Sequence, residues 1–586
     1  MACDILLINT RRDHFGTIEG DVTIGLNLLN VFLKEKHYSV DMFRGFSHEA
    51  YKWIEDTINK RGTKTVGFYC DYDNVNLVAE LSRKIKEKWN IPVFIGGPQA
   101  LSLDEAFFRR SLCDAAVRGE GEFTLLELLE VYINKRKKLS EVDGITCMDE
   151  NGNIVYHRDR KPVENLDNLP WPDFRLEGEG VPQDSLPVLT GRGCPYRCTF
   201  CYEGSNKRTV RFRSVKNVLD EILYHFEKNP LYKYIFFQDS TFTLDPKRIE
   251  DLCTGLMELR KERDFVWFCE AHGETLIKWP HMLELMVKSG MVKIALGIES
   301  GSDRVLSMYR KRTNADMMER VMKLCVDADV PQIAGNIIIG GPLENQETIE
   351  ADVRLITSFL DIAPGRFIYS SFFFTPYSHT AITNDPASFG MKLIREREIL
   401  ALEDIPLSET EAFTWIDLFN VRVDFNRRIL NKMKELYRTG KIPMETILTN
   451  YRLFYKYNIP SIWISAIFAS DPVSHNYYQC LAKNILKPSH KIDREKLFSC
   501  HPQRVFDLWN NLSFKGDCPY LNTNLLSPLE YELLLHCSGK LRLSEILKRC
   551  YRLSGNYFEH EESFNEKALM ILRSFEERRW IGYAPF

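Results

Sequence analysis

Apolar residues recur along the first part of the chain in two alternating patterns. Short continuous runs, DILLIN (4–9), YSVDMF (38–43), TVGFYC (65–70) and IPVFIGG (91–97), have the length of buried strands. Between them GLNLLNVFLKEK (25–36) and VNLVAELSRKIKEKW (75–89) place apolar residues at helical spacing, and RGEGE (118–122) opens the helix FTLLELLEVYI. Strands buried on both faces and alternating with helices predict a doubly wound parallel sheet of flavodoxin or Rossmann type. Its ligand should sit beyond the strand C-termini. The loops there are DYDN (71–74), GGP (96–98) and GEGE (119–122). Such glycines suit either close approach of a flat or phosphate-bearing ligand or plain turn chemistry. No GxGxxG follows the first strand, which disfavours a dinucleotide.

Residues 141–185 are turn-rich, with a hairpin over DENGN followed by NLPWPDF, and are expected to link two domains. A second alternating series starts at 186. Its strands are LPVLT (186–190), YIFF (234–237), FVWFC (265–269), VKIALG (292–297), IAGNIIIG (333–340) and FIYSSFFF (367–374), with helices such as 215–226 and 317–328 between them. Six units fall two short of a closed barrel, so an open, partial one is expected, with its site at the strand C-termini. Helical patterns take over from about 390, notably 415–437 and 443–456. Near the end, SPLEYELLLHC (527–537) begins with Ser527 as N-cap, Pro528 at the first helical position and Glu530 completing a capping box. Two more helices and the strand WIGY (580–583) complete a small winged-helix-like module. The expected division is 1–140, 141–185 (linker), 186–385, 386–510 and 511–586.

Composition excludes more than it suggests. The 586 residues are 44% hydrophobic and 27% charged, with a formal net charge of −4, which leaves no electrostatic footprint for nucleic acid or an anionic membrane. No apolar run approaches the roughly 20 residues of a membrane helix. The start, MACDILLINTRRD, reaches charge too early for a secretory signal, so a cytoplasmic location is expected. Most of the fifteen cysteines sit singly among apolar residues and read as reduced core positions.

The exception is GCPYRCTFCYEG (193–204), with Cys194, Cys198 and Cys201 directly after the first barrel strand. Three buried cysteines on a turn is the plainest alternative, but the Pro, Arg and Gly around them argue against a core. Structural zinc wants four ligands, and the closest further ones, His225 and Cys253, fall in predicted helices. Three thiolates without a fourth suit an iron–sulfur cluster that leaves one iron open to an exogenous ligand.

The CxxxCxxC spacing in GRGCPYRCTFC resembles the radical S-adenosylmethionine superfamily. That resemblance implies a 4Fe-4S cluster on Cys194, Cys198 and Cys201, with S-adenosylmethionine chelating the open iron. Reductive cleavage would then give a 5′-deoxyadenosyl radical. It also implies that Phe200 and Tyr202 pack near the adenine, and that Asp239 (FFQDSTF) and Glu270 (FCEAHGE) belong to the same site. GIESGSDRVL (297–306) offers Glu299 and Ser300 as contacts to methionine or ribose, and IIIGGPLENQETIE (337–350) matches the fifth-strand element through Gly340 and Glu344. A helix-capping or salt-bridging role is the alternative for Asp239, Glu270 and Glu299.

The doubly wound region ahead of such a barrel resembles the cobalamin-dependent class over about residues 1–380. On that resemblance Tyr69, Asp71, Tyr72, Asn74, Gly96, Gly97, Gly119 and Glu120 would meet cobalamin. The DxHxxG motif that supplies an axial histidine elsewhere is absent, since DHFG at 13–16 has the wrong spacing. Binding without that histidine and a vestigial domain are the two options. The last ~70 residues resemble PqqD-like modules, which capture a leader peptide as an added strand. With 9 Lys+Arg against 10 Asp+Glu over 516–586, nucleic acid is disfavoured there, and a structural cap is the alternative. Cys480, Cys500, Cys518, Cys537 and Cys550 lack the spacing of a second cluster. The combined expectation is a cytoplasmic, monomeric cobalamin-dependent radical enzyme that C-methylates a ribosomally made peptide, with flavodoxin or ferredoxin as reductant. A small-molecule or lipid substrate, a non-methylating rearrangement or cyclisation, and a non-catalytic redox sensor are the alternatives.

Overall fold

The computed structural model describes residues 2–11, 23–174, 184–205, 209–394, 405–554, 557–558 and 560–585. The DHFG segment and residues 395–404 of the expected helical region lie outside them. Two compact units are formed, Met1–Ile362 with Tyr369–Ile429, and Ala363–Ile368 with Leu430–Phe586.

The first unit contains both alternating series. Strands β1 (Ile5–Arg11), β2 (Val40–Phe46), β3 (Thr65–Tyr69), β4 (Val93–Gly96) and β5 (Ala115–Val117) form a parallel sheet in the order 2-1-3-4-5. The order reverses beside β1, which places a crevice beyond the C-termini of β1 and β3. Continuous apolar runs are explained by burial on both faces: Ile8, Val66, Phe68 and Ile95 pack on one side, and Ile5, Leu7, Phe94 and Val117 on the other. The hairpin over Asp149–Asn153 does more than link. Its strands β6 (Ile145–Met148) and β7 (Ile154–Tyr156) join the sheet antiparallel beside β5, so the first sheet runs to Tyr156.

The second sheet has six strands in sequential order, β8 (Ser185–Val188), β11 (Tyr234–Phe237), β12 (Val266–Ala271), β13 (Met291–Glu299), β14 (Gln332–Ile339) and β15 (Phe367–Phe373). β8 through β14 pair in parallel. For parallel strands joined in sequential order, crossovers of the usual right hand place the connecting helices on one face and leave the other pointing inward. With β8 and β15 as edges, this is an open six-stranded partial barrel. A small ribbon of β9 (Gly191–Arg192) and β10 (Arg211–Phe212) follows β8 and brackets the cysteine segment. Near 400, β16 (Met391–Leu393) and β17 (Ser408–Thr410) pair antiparallel.

The second unit is mainly helical up to Leu497. β18 (His501–Arg504) pairs with the closing strand β22 (Ile581–Ala584). Between them runs a three-stranded antiparallel meander, β19 (Leu512–Lys515), β20 (Cys518–Leu521) and β21 (Asn524–Leu525), and then helices Pro528–His536, Leu543–Leu553 and Glu561–Glu577. Ser527 caps the first of these through the Glu530 N–H, and the Glu530 carboxylate accepts from the Ser527 N–H.

Candidate functional site

The segment after β8 is shaped by residues remote in sequence. The buried Asp239 accepts from the Thr190 and Gly191 backbone N–H groups at 2.7 and 2.9 Å and from the Thr190 hydroxyl. These contacts fix the chain just ahead of Gly193, whose φ is +88°. Thr199 staples the middle of the loop. Its N–H and hydroxyl donate to the Tyr309 and Met308 carbonyls at 3.0 and 2.8 Å, and its own carbonyl accepts from Ile382 N–H. The loop then closes on itself at Gly204, where a Cβ would lie 2.6 Å from the Cys198 carbonyl oxygen.

Cys198 is buried, and Cys194 and Cys201 are partly exposed. Burial pushes the Cys198 thiol up to about 11; the Lys311 ammonium pulls it down, and the other two sulfurs and Glu299 oppose ionisation. Burial likewise raises Cys201, against the backbone N–H groups of Gly204 and Glu203, which favour its thiolate. Metal binding has to displace these protons. Among the described residues no three His, Cys, Asp or Glu converge on a single-ion site. Three soft sulfurs on one loop, close enough to repel as thiolates, fit a multi-iron cluster with each sulfur on its own iron.

The other expected residues surround this loop at the strand C-termini. Glu299 ends β13 with φ +66°, a left-handed conformation that costs energy away from glycine. It pairs with Lys311 at 2.8 Å, both side chains being buried. Gly297 permits this fold-back, because a Cβ there would stand 2.4 Å from both Glu299 Oε1 and Lys311 Nζ. Burial disfavours the Lys311 cation, but Glu299 and the Cys198 and Cys201 sulfurs outweigh it and raise its pKa. Ser300 donates to Asp352 at 2.7 Å, and Gly301 N–H donates to the same oxygen. Burial lifts the Asp352 carboxyl to about 7 against those two hydrogen bonds. Glu270 on β12 is open to the inward face, yet protein surrounds it on most sides. Burial and then the Glu299 charge raise its carboxyl.

Glu344 is buried and accepts from the Gly340 N–H, which ties down the turn after β14. Burial, and then Asp352, hold its carboxyl well above the usual range. Gly340 has φ +89°, and a Cβ on Gly341 would collide with the Tyr309 hydroxyl. Phe200 packs edge-to-face on Tyr309, centroids 4.8 Å apart, within an apolar cluster. Tyr202 opens the short helix Tyr202–Ser205 and is half-buried. Asp239 and Glu344 are thus positioning residues, as is the buried Ser300 through Asp352, whereas Glu270 is exposed and Glu299 stands near Cys198. Sequence reading missed Lys311, Asp352 and a stack of Tyr196 on His272, rings 3.7 Å apart and 15° from parallel.

A cavity of about 500 Å³ opens at the C-terminal edge of the first sheet. Tyr69, Asp71, Gly96, Gly97, Gly119 and Glu120 line it on that side, and Leu189, Gly191, Arg192 and Gly193 on the cysteine side. Gly97, at φ +96°, has no room for a Cβ, which would lie 2.6 Å from the Cys70 carbonyl oxygen. Such a bare floor admits a flat macrocycle. Tyr72 lies elsewhere, on a second cavity and 6.0 Å from the Tyr377 ring. Asn74 is buried, accepts from Asp71 N–H and donates to the Thr10 and Tyr69 carbonyls, so it holds the loop. Glu120 is bound by Arg211 at 2.6 Å, and Glu122 by Arg192 at 2.6 Å. Burial raises the Glu120 carboxyl, but Arg211 and Arg192 outweigh it and the net shift is downward.

Residues 188–356 match the Radical SAM superfamily and residues 13–129 the B12 binding domain. A methyltransferase of Pyrococcus horikoshii, itself uncharacterised, is 30% identical over 377 residues, spanning 61% of this chain and 77% of that protein. The chain belongs to the cobalamin-dependent radical S-adenosylmethionine methyltransferases. Members of this family carry a 4Fe-4S cluster, S-adenosylmethionine and cobalamin, and need a reductant. A more partial relative, the 4′-phospho-dehydrooxetanocin synthase of Priestia megaterium, is 32% identical over 36% of this chain and 31% of its own length. A similar fold is seen in the cobalamin-dependent radical enzyme OxsB, with TM-score 0.57 at 17% identity over 99% of this chain and 84% of that one. The radical methyltransferase TsrM of Kitasatospora setae gives TM-score 0.54 at 18% identity over 66% and 78%. In this radical methyltransferase the glycine floor of the first sheet and the residues just ahead of Cys194 thus line one cavity. Among the described residues no helix is long and apolar enough to cross a membrane.

Proposed function

We propose that this enzyme methylates an unactivated carbon of a ribosomally made peptide in the cytoplasm, acting as a monomer and reduced by a flavodoxin or ferredoxin. When bound, the cluster supplies the electron that splits S-adenosylmethionine, and cobalamin supplies the methyl carrier. The observation that carries the reading is the shared cavity, with the corrin-side glycines and the start of the cysteine loop in its two walls. Cys194, Cys198 and Cys201 hold iron, Glu270, Glu299 and Ser300 meet polar groups of S-adenosylmethionine, and Phe200 and Tyr202 flank its adenine. Tyr69, Asp71, Gly96, Gly97 and Gly119 contact the corrin. The stacked Phe236 and Phe268 on the inward face keep water from the reacting carbon.

The peptide part rests on the C-terminal unit. β22 is occupied on both sides, by β18 and by backbone bonds between Tyr583 and Lys487. β19, by contrast, ends its sheet, and Trp509, Phe514 and Leu525 are exposed around it. An extended leader segment can add to that edge and cover those side chains. A small-molecule substrate is the second reading, favoured by the similarity to the Priestia 4′-phospho-dehydrooxetanocin synthase. Anaerobic incubation with methyl-labelled S-adenosylmethionine and candidate peptides, read by mass spectrometry, tests the choice. Label in a peptide carbon supports the proposal, and label only in a small metabolite from a cell extract overturns it.

A further inference from the structure

Two buried guanidiniums and two buried carboxylates meet at the seam between the corrin loop and the cysteine loop. Arg192 lies two residues before Cys194 and donates to Glu122 Oε1 at 2.6 Å, with its second arm 3.5 Å from Glu120. Arg211, directly across the β9–β10 ribbon from Arg192, holds both Glu120 oxygens at 2.6 and 3.2 Å. The side chains of all four are at most 16% exposed. Like charges directly opposite on a ribbon repel, so this arrangement makes sense only with the two carboxylates between them.

Each end is anchored in turn. Glu122 sits in the first turn of the helix Gly121–Tyr132, and Arg192 follows Gly191, whose N–H is held by Asp239. A continuous rigid path therefore runs from the helix that ends the GEGE loop to the cysteines. The four formal charges sum to zero, so the network presents no net charge to a ligand; what it fixes is distance.

We propose that Arg192 and Glu122 form a register clamp that sets the spacing between the corrin and the cluster, with Glu120 and Arg211 as its brace. They are positioning residues, and the inference rests on the cofactor placement proposed above. A displacement of about 1 Å between reacting centres can cost on the order of 100-fold in rate. Breaking the clamp should then leave both cofactors bound and spoil their cooperation.

The test uses the full chain and the variants Arg192→Gln, Glu122→Gln and Arg192→Lys. In cofactor-free protein, Glu122→Gln should speed hydrogen exchange at 190–194, on the opposite side of the seam. After anaerobic reconstitution with iron, sulfide and hydroxocobalamin, both Gln variants should retain iron and cobalamin. With S-adenosylmethionine and titanium(III) citrate, the initial release of S-adenosylhomocysteine relative to 5′-deoxyadenosine should fall roughly 10- to 100-fold, and Arg192→Lys should restore part of it. An unchanged ratio and unchanged exchange in both Gln variants would overturn the clamp. So would loss of cobalamin from Arg192→Gln, which would make the arginine a corrin contact instead. If the unaltered chain itself takes up no cobalamin, the cofactor assignment fails and takes the clamp with it.

Discussion

Replacing Asp239 by alanine removes three acceptor contacts at the entrance to the cysteine loop without touching a cysteine. Two of the donors are the backbone N–H groups of Thr190 and Gly191; the buried Thr190 hydroxyl is the third. Each buried N–H left without a partner costs about 1–3 kcal/mol, or roughly 2–6 kcal/mol for the pair. Arg248, which donates to the Thr190 carbonyl at 3.0 Å, also loses its neighbouring anion. Even the lower figure shifts the local equilibrium between ordered and open loop by about 30-fold. Under matched reconstitution, Asp239→Ala should hold less than half of the iron of the unaltered protein. Asp239→Asn keeps one oxygen for the two N–H groups and should hold most of it. Iron analysis and the intensity of the reduced-cluster electron paramagnetic resonance signal make the comparison. Full iron loading of Asp239→Ala, with unchanged thermal stability, would refute the reasoning.

Cys198→Ala should abolish cluster assembly while far-ultraviolet circular dichroism stays close to that of the unaltered chain; retained iron would remove the ligand assignment. Gly97→Ala places a Cβ 2.6 Å from the Cys70 carbonyl oxygen and should cost about 1–3 kcal/mol by overpacking, and cobalamin uptake with it. Gly96→Ala meets nothing closer than 3.9 Å within the protein, so any loss of cobalamin there, without loss of stability, locates the corrin. His272 is held neutral by burial and then by Lys311 and Arg312, its pKa pushed down to about 3. A base with a depressed native pKa loses stability as pH falls below its unfolded value. From pH 7 to pH 5 the loss should be about 2 kcal/mol. His272→Phe, which can keep the stack on Tyr196, should lessen that acid sensitivity in chemical denaturation, and an identical pH dependence would count against it.

Both alternating series are legible because burial on both faces forces continuous apolar runs. YIFF is a strand at Tyr234–Phe237, and the helix expected over 215–226 runs on to Lys228. Shorter or more exposed elements are not legible. β5 has only three residues, and the 512–525 meander has too little buried apolar surface to show a period. The cysteines stand out in the sequence through their spacing and its resemblance to the radical S-adenosylmethionine superfamily. Arg192, Lys311 and Asp352 do not, since their partners lie 70, 12 and 52 positions away and a long-range ion pair or hydrogen bond leaves no local signature. Motif matching also cannot separate contact from support. Glu270 and Asp239 both stand at barrel-strand ends as carboxylates, but one faces open space and the other is spent on backbone N–H groups.

The most direct measurement is electron paramagnetic resonance of the anaerobically reconstituted, reduced protein with and without S-adenosylmethionine. A cluster with one iron free of protein ligands should contain about four irons per chain, and its spectrum should change when the amino and carboxylate groups of S-adenosylmethionine bind. A spectrum indifferent to saturating S-adenosylmethionine, or an intact cluster signal in the Cys194→Ala, Cys198→Ala, Cys201→Ala triple variant, would contradict the account.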